Sequence, residues 1–303
     1  MSWLVVTISA YFLLAIVSLF DRYFLVGSIP HPKVYTFYVS MLWCLAGLLL
    51  IPFVAIPAEL NLVIFLGLAA GFIRTFAILF LCKSIMESEV SRTIPTIGGF
   101  LPIFSFLFFF LITPNQEILD PIRLAAFICL VLGSVLISLK KFSIIIFSFK
   151  DLKNPIITAF LFAATYFLIK LVFLDTAFLN GVFLLLIGGG LGAVSFLFFS
   201  ETRKLIFSQR PTQKISKLFI LGQIFGGLGI GSLYYAVFLA EPSQVPLVNA
   251  LEGIRYVFLL FFVFVLAKKL PHLLKEEMSG SILAQKIIAI LLIGGGLAIL
   301  ALR

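Results

Sequence analysis

Residues 241–267 read EPSQVPLVNALEGIRYVFLLFFVFVLA, and the reading of this stretch decides the fold. Two prolines, Pro242 and Pro246, open it, and an almost unbroken apolar run closes it. Asn249, Glu252 and Arg255 lie near its middle. At a helical rise of about 1.5 Å per residue the stretch is long enough for a hydrocarbon core about 30 Å thick. Glu252 and Arg255 then fall near the midplane, where charge is costly and faces a bundle interior or a wet cavity. Three positions apart on a helix, the two can neutralise each other.

The rest of the chain has the same character. Of 303 residues, 62% are hydrophobic and 12% charged, and the mean hydropathy is +1.22. Soluble domains carry about 25% charge, so the sequence is that of a polytopic membrane protein whose solvent is the lipid bilayer. The net charge of +9 comes from bases in the loops between apolar runs. It therefore speaks to membrane orientation and gives no reason to expect a nucleic-acid partner. Cys44, Cys82 and Cys129 all fall inside apolar runs, with neither a disulfide framework nor zinc spacing. His31 and His272 are lone loop histidines, read as solvated or interfacial side chains. No metal and no cofactor is expected. The first apolar run lacks a basic leader and a small-residue cleavage site, so it reads as a retained helix.

The pattern predicts ten helical spans. They are 3–20, 34–53, 61–82, 94–112 and 122–139, then 156–173, 180–199, 218–240, 244–267 and 285–302. Residues 1–141 and 156–303 would be two five-helix units, joined by a basic linker at 142–155. Most of the 22 Lys and Arg residues fall on one side of such an arrangement, among them Arg22, Lys33, Lys83, Arg92, Lys140 and Arg203. The positive-inside rule puts that side in the cytoplasm and both termini outside. Sliding the second half back by 155 positions brings Leu66-Gly67 onto Leu221-Gly222, Gly71 onto Gly226 and Gly98 onto Gly253. An offset of 148 aligns the first spans and brings Arg22 onto Lys170. With an odd number of spans per half, these matches predict an all-α membrane protein built as two inverted five-helix repeats.

Within the spans, glycines recur at four-residue spacing: Gly67 and Gly71, Gly188 and Gly192, Gly222 and Gly226. Such pairs let helix backbones approach closely, and their recurrence predicts packing of the third span against the eighth. In the fourth span Ser91, Pro95, Gly98, Pro102 and Ser105 fall within roughly 80° of one another on a helical wheel. Pro242, Pro246, Asn249, Glu252, Gly253 and Tyr256 form a similar, wider stripe in the ninth. The two stripes read either as walls of one polar cavity or as two kinked helices packed at a crossing.

Arg74 lies mid-span in the third helix and Lys170 well inside the sixth, while Asp21 and Arg22 close the first. Arg74, Asn249, Glu252, Arg255 and Tyr256 are the candidate substrate-binding residues, and Pro95, Gly98, Pro102 and Pro246 the candidate cavity lining. Arg74, Glu252 and Arg255 together leave one positive charge, suited to an anionic or zwitterionic small molecule; an Arg–Glu–Arg network tying two helices together is the alternative. Glu252 is also a candidate proton carrier. For Asp21, Arg22 and Lys170 the reading is snorkelling toward the interface. Tyr11, Tyr38, Trp43, Tyr166, Tyr234 and Tyr235 are polar aromatics that can line the same space.

Enzyme motifs are absent: no GxSxG, no P-loop, no HExxH. The chain is therefore not expected to be an enzyme. The rivals to a transporter are an enzyme acting on a lipid-linked substrate through Asp21, Glu87 or Glu89, and a membrane scaffold without transport.

Residues 82–111, CKSIMESEVSRTIPTIGGFLPIFSFLFFFL, and residues 238–271, FLAEPSQVPLVNALEGIRYVFLLFFVFVLAKKLP, each place a small-residue turn before a Pro-containing helix. With the glycine-containing closing run QKIIAILLIGGGLAIL, they resemble the drug/metabolite transporter superfamily, specifically proteins with paired EamA domains. The family's usual acidic loop after the fourth span is replaced here by Pro114-Asn115-Gln116-Glu117. The resemblance implies a secondary transporter that moves a small metabolite, such as an amino acid or related compound, by alternating access, coupled to protons or to exchanged substrate. Relatives in that superfamily are usually drawn with both termini inside, against the base count here.

Overall fold

A computed structural model describes residues 2–25, 31–55, 61–87, 90–112, 120–138, 149–208, 213–266 and 280–302. The loop at 114–117, the linker at 142–148 and His272 lie outside them, as does the side chain of Pro95. The helices are α1 (Ser2–Tyr23), α2 (Pro32–Leu48), α3 (Leu62–Glu87), α4 (Val90–Ile112), α5 (Pro121–Ser138) and α6 (Phe149–Asp175). They continue with α7 (Phe178–Ser195), α8 (Ser200–Ser208), α9 (Gln213–Leu239), α10 (Val245–Ala250), α11 (Glu252–Leu266) and α12 (Gly280–Ala301). Large apolar side chains such as Leu49, Phe65, Phe198 and Leu291 stay exposed on the outside of this bundle, as lipid-facing residues do. The chain is an all-α, multi-pass integral membrane protein.

Ten spans in two inverted five-helix repeats are not what the sequence forms. Among the described residues six helices are long and apolar enough to cross a membrane: Ser2–Tyr23, Leu62–Glu87, Leu152–Asp175, Phe178–Phe198, Lys217–Leu239 and Ala284–Ala301. Thr96–Phe110 and Pro121–Leu136 are shorter apolar helices, and α2 has 17 residues. The expected ninth span is broken. Pro242–Gln244 form a single 3-10 turn, α10 follows, Leu251 is a turn residue, and α11 starts at Glu252. Pro246 stands in the first turn of α10, where a missing N–H goes unused. At the break the Ile254 N–H donates to the Leu251 carbonyl at 2.9 Å, a tightened i to i−3 bond in place of the α-helical one. Apolar composition measures avoidance of water, and Leu251 is as apolar inside a turn as inside a helix. That is why counting runs overstated the spans.

Local sequence sets the helix starts that can be seen. Asn61 accepts the Ile64 N–H at 3.0 Å through its side chain, capping α3. Asp120 does the same for Ile122 and Arg123 at 3.0 and 2.9 Å, with Pro121 in the first turn of α5. The unexpected element is α8, whose nine residues SETRKLIFS are mostly polar. It lies against α2, where the Tyr38 hydroxyl donates to the Ile206 carbonyl at 3.1 Å and Lys33 donates to Thr202 Oγ1 at 3.3 Å.

Packing follows small residues. α3 lies along α6 and α7, α1 along α9, and α5 along α12. A methyl group at Gly71 would run into the Leu185 carbonyl oxygen, and one at Gly188 into that of Leu68. Only glycine at those two positions lets α3 and α7 approach so closely. The Thr75 hydroxyl then crosses between them to the Gly189 carbonyl at 2.9 Å. The expected direct packing of the third span on the eighth is thereby corrected: the α3 glycines face α7, while Gly222 of α9 packs on Phe20 of α1. Rings join α4 to α6, with Phe104 and Phe108 on Phe160, and Phe108 and Phe109 on Phe167.

Candidate functional site

A cavity of about 90 Å³ lies between α1, α2, α3, α4, α6, α9 and α11. α1 contributes Tyr11, Leu14, Val17 and Asp21, whose spacing of three and four puts them on one face. Tyr35 and Trp43 come from α2, Arg74 and Cys82 from α3, Tyr166 from α6, Gln223 from α9, and Glu252 and Arg255 from the start of α11. A water needs roughly 10–15 Å³ of such space, so the cavity holds several waters or one small molecule.

The break before Glu252 sets the geometry of the charged end. Arg255 Nη1 meets Glu252 Oε1 at 3.2 Å, closing the pair within one turn. The other side of the same guanidinium reaches α1, where Nε and Nη2 donate to Ser18 Oγ at 3.1 and 2.7 Å. The Ser18 hydroxyl in turn donates a hydrogen bond to the Leu14 carbonyl at 2.9 Å. Glu252 and Arg255 are 7% and 9% exposed, so the pair is buried as well as partnered. Beside it the Tyr11 hydroxyl donates to the Val248 carbonyl at 3.1 Å, supplying a partner to backbone at the break.

Arg74 is in a different state. It is 3% exposed, its Nε has no hydrogen-bond partner, and no carboxylate lies within 4.0 Å of it among the described residues. Its guanidinium carbon lies 5.4 Å from the centroid of the Trp43 ring, a cation–π contact. Trp43 is itself held by Gln223, whose Oε1 accepts the indole N–H at 3.0 Å. Also in the cavity wall, the Tyr35 hydroxyl donates to Asp21 Oδ1.

The remaining candidates from the sequence group elsewhere. Asn249 is fully buried; its Nδ2 donates to Ser105 Oγ at 2.8 Å, and its Oδ1 has no partner. Tyr256 packs so tightly on Gly98 that a methyl there would strike the hydroxyl. Pro102 and Pro246 are buried in their helices. The two proline-and-glycine stripes thus meet at a crossing of α4 with α10 and α11, and Ile97 and Leu101 are the α4 residues that face the cavity. Arg74, Glu252 and Arg255 are brought together at the cavity; Asn249, Tyr256, Gly98 and Pro102 meet at the crossing beside it.

Of the polar aromatics, Tyr11, Trp43 and Tyr166 line the cavity. Tyr234 packs on Tyr166 with ring centroids 6.0 Å apart, and Tyr235 is on the outside. Asp21, Tyr35, Cys82 and Gln223 are wall residues that sequence reasoning missed. The spacing from Tyr11 to Asp21 along the buried face of α1 is the signal that could have found the first. Snorkelling does not describe Lys170, which is 4% exposed. Its ammonium donates to the carbonyls of Val237, Phe238 and Ala240 at 3.2, 3.3 and 2.6 Å, satisfying the open end of α9. Arg22 likewise turns inward and donates to the Ile85 carbonyl.

No protein-family model matches the sequence, and no curated protein matches it. Its fold does have a counterpart among solved structures. A crystal structure described only as "Crystal structure of protein" superposes with a TM-score of 0.69 at 15% identity, over 99% of this chain and 98% of the other. The likeness covers both chains nearly end to end and is one of fold alone. Fold and site together define a helical, multi-pass membrane protein with a charged cavity inside the bundle.

Proposed function

We propose that this protein is a secondary transporter that carries a small anionic or zwitterionic metabolite across the membrane by alternating access. The substrate would bind in the cavity between α1, α2, α3, α4, α6, α9 and α11. The observation that carries this reading is Arg74, a buried guanidinium in the cavity wall with an unpartnered Nε and, among the described residues, no carboxylate within 4.0 Å. A charge held in a bundle interior without a counterion is costly, and such residues mark substrate paths. The resemblance of the 82–111 and 238–271 stretches to the drug/metabolite transporter superfamily supports the same class. We further place the face that carries Arg22, Lys33, Lys83 and Arg203 in the cytoplasm, on the base count; reporter fusions at Met1 and Arg303 test it.

Counterflow in proteoliposomes tests the transport reading. Purified protein should accelerate exchange of radiolabelled small amino acids or carboxylates across a panel, and Arg74→Gln should cut that exchange at least tenfold while eluting as the same monodisperse species. Exchange that is independent of Arg74, or no exchange of any panel member, would remove the assignment.

A further inference from the structure

The wall of the cavity carries four formal charges, and two of them are already used. Glu252 and Arg255 close on each other at 3.2 Å, and the remaining Arg255 donors go to Ser18. What is left is one charge of each sign. Arg74 is cationic, with its Nε unpartnered at 3% exposure. Asp21 is anionic, holding the Tyr35 hydroxyl, with no cation within 4.0 Å among the described residues.

These two border the same space and are held by different residues of α2. Asp21 is paired with Tyr35 and Arg74 with Trp43, and both aromatic partners belong to α2. Eight residues of helix separate Tyr35 from Trp43, which at about 1.5 Å each is about 12 Å. The reach of the arginine and aspartate side chains shortens that to a gap of several ångströms. A simple anion would answer Arg74 and leave the carboxylate of Asp21 without a counterion. A simple cation would do the reverse. A molecule with both charges answers both, and it enters without changing the net charge of the bundle.

Resting on the transport reading, since it concerns the same cavity, we propose that the site takes a small zwitterion whose two charges stand several bonds apart. Its anionic group binds at Arg74 beside Trp43, and its ammonium binds at Asp21 beside Tyr35. Trp43 packs along the anionic end, and Tyr35 holds the orientation of the Asp21 carboxylate.

Three probes of one length test this on the full-length purified protein: 4-aminobutyrate, butyrate and butylamine. Thermal unfolding should show that 4-aminobutyrate raises the midpoint in a saturable way, with butyrate and butylamine at least tenfold weaker. Glycine, whose charges are too close, should also be weaker. Asp21→Asn should bring 4-aminobutyrate down to the level of butyrate, and Arg74→Gln down to that of butylamine. Butyrate equal to 4-aminobutyrate, glycine equal to it, full binding in Asp21→Asn, or no shift from any probe each overturns the proposal. The wild-type series decides the question even if either variant fails to fold. Arg74-dependent exchange of a singly charged solute, with no preference for the zwitterion, removes this proposal and leaves the transport reading in place. Absence of any exchange removes both.

Discussion

Arg74 and Arg255 are buried in the same bundle, border the same cavity, and are in opposite chemical conditions. Arg255 has a carboxylate one helical turn away and a serine on α1, so three of its contacts are hydrogen bonds and one of those is an ion pair. Arg74 has an indole face and an open Nε. An arginine whose donors are filled by its own fold holds helices together. One whose donors are left open in a cavity is available to a ligand. Mid-membrane position alone cannot tell these apart; the partners do.

The largest effect that should separate the two is on folding. Arg255→Met strands Glu252 as a buried charge and should cost about 3–5 kcal/mol, read as a collapse of the thermal midpoint in detergent. An unchanged midpoint would mean that the pair is not structural. Arg74→Gln should cost no more than about 1 kcal/mol, because it breaks no ion pair and loses chiefly the contact with the Trp43 ring. A loss as large as that of Arg255→Met would erase the distinction. Smallest of all should be the net change in the double variant Glu252→Gln with Arg255→Met. Removing a buried ion pair whole is often neutral, so most of the stability lost in Arg255→Met should return. If it does not, the Ser18 contacts carry the stabilisation and the pair does not.

The membrane class, the buried Arg74 and the Glu252–Arg255 pair were all legible in the sequence, because charges in apolar runs stand out and a spacing of three fixes the pairing on a helix. The number of spans was not. Residues 241–267 have the length and composition of one span, yet a turn at Leu251 divides them, and neither α10 nor α11 is as long as the helices that cross. The repeat drawn from Gly67, Gly71, Gly222 and Gly226 rested on glycines that turned out to face different partners, α7 and α1. Apolar sequences match one another readily when every helix needs small residues to pack. Asp21 and Lys170 were read as interfacial because the sequence shows no partner for either. Their partners, Tyr35 and the end of α9, are 14 and about 70 residues away in sequence, and only the fold brings them near.

Lys170 has a mechanical consequence. One ammonium on α6 holds the carbonyls of Val237, Phe238 and Ala240 at the end of α9, so it joins the two helices like a rivet. Any motion that slid α9 past α6 would have to break all three bonds together. The end of α9 and the last turns of α6 are therefore tied together. A seam along which the bundle could slide would have to run elsewhere.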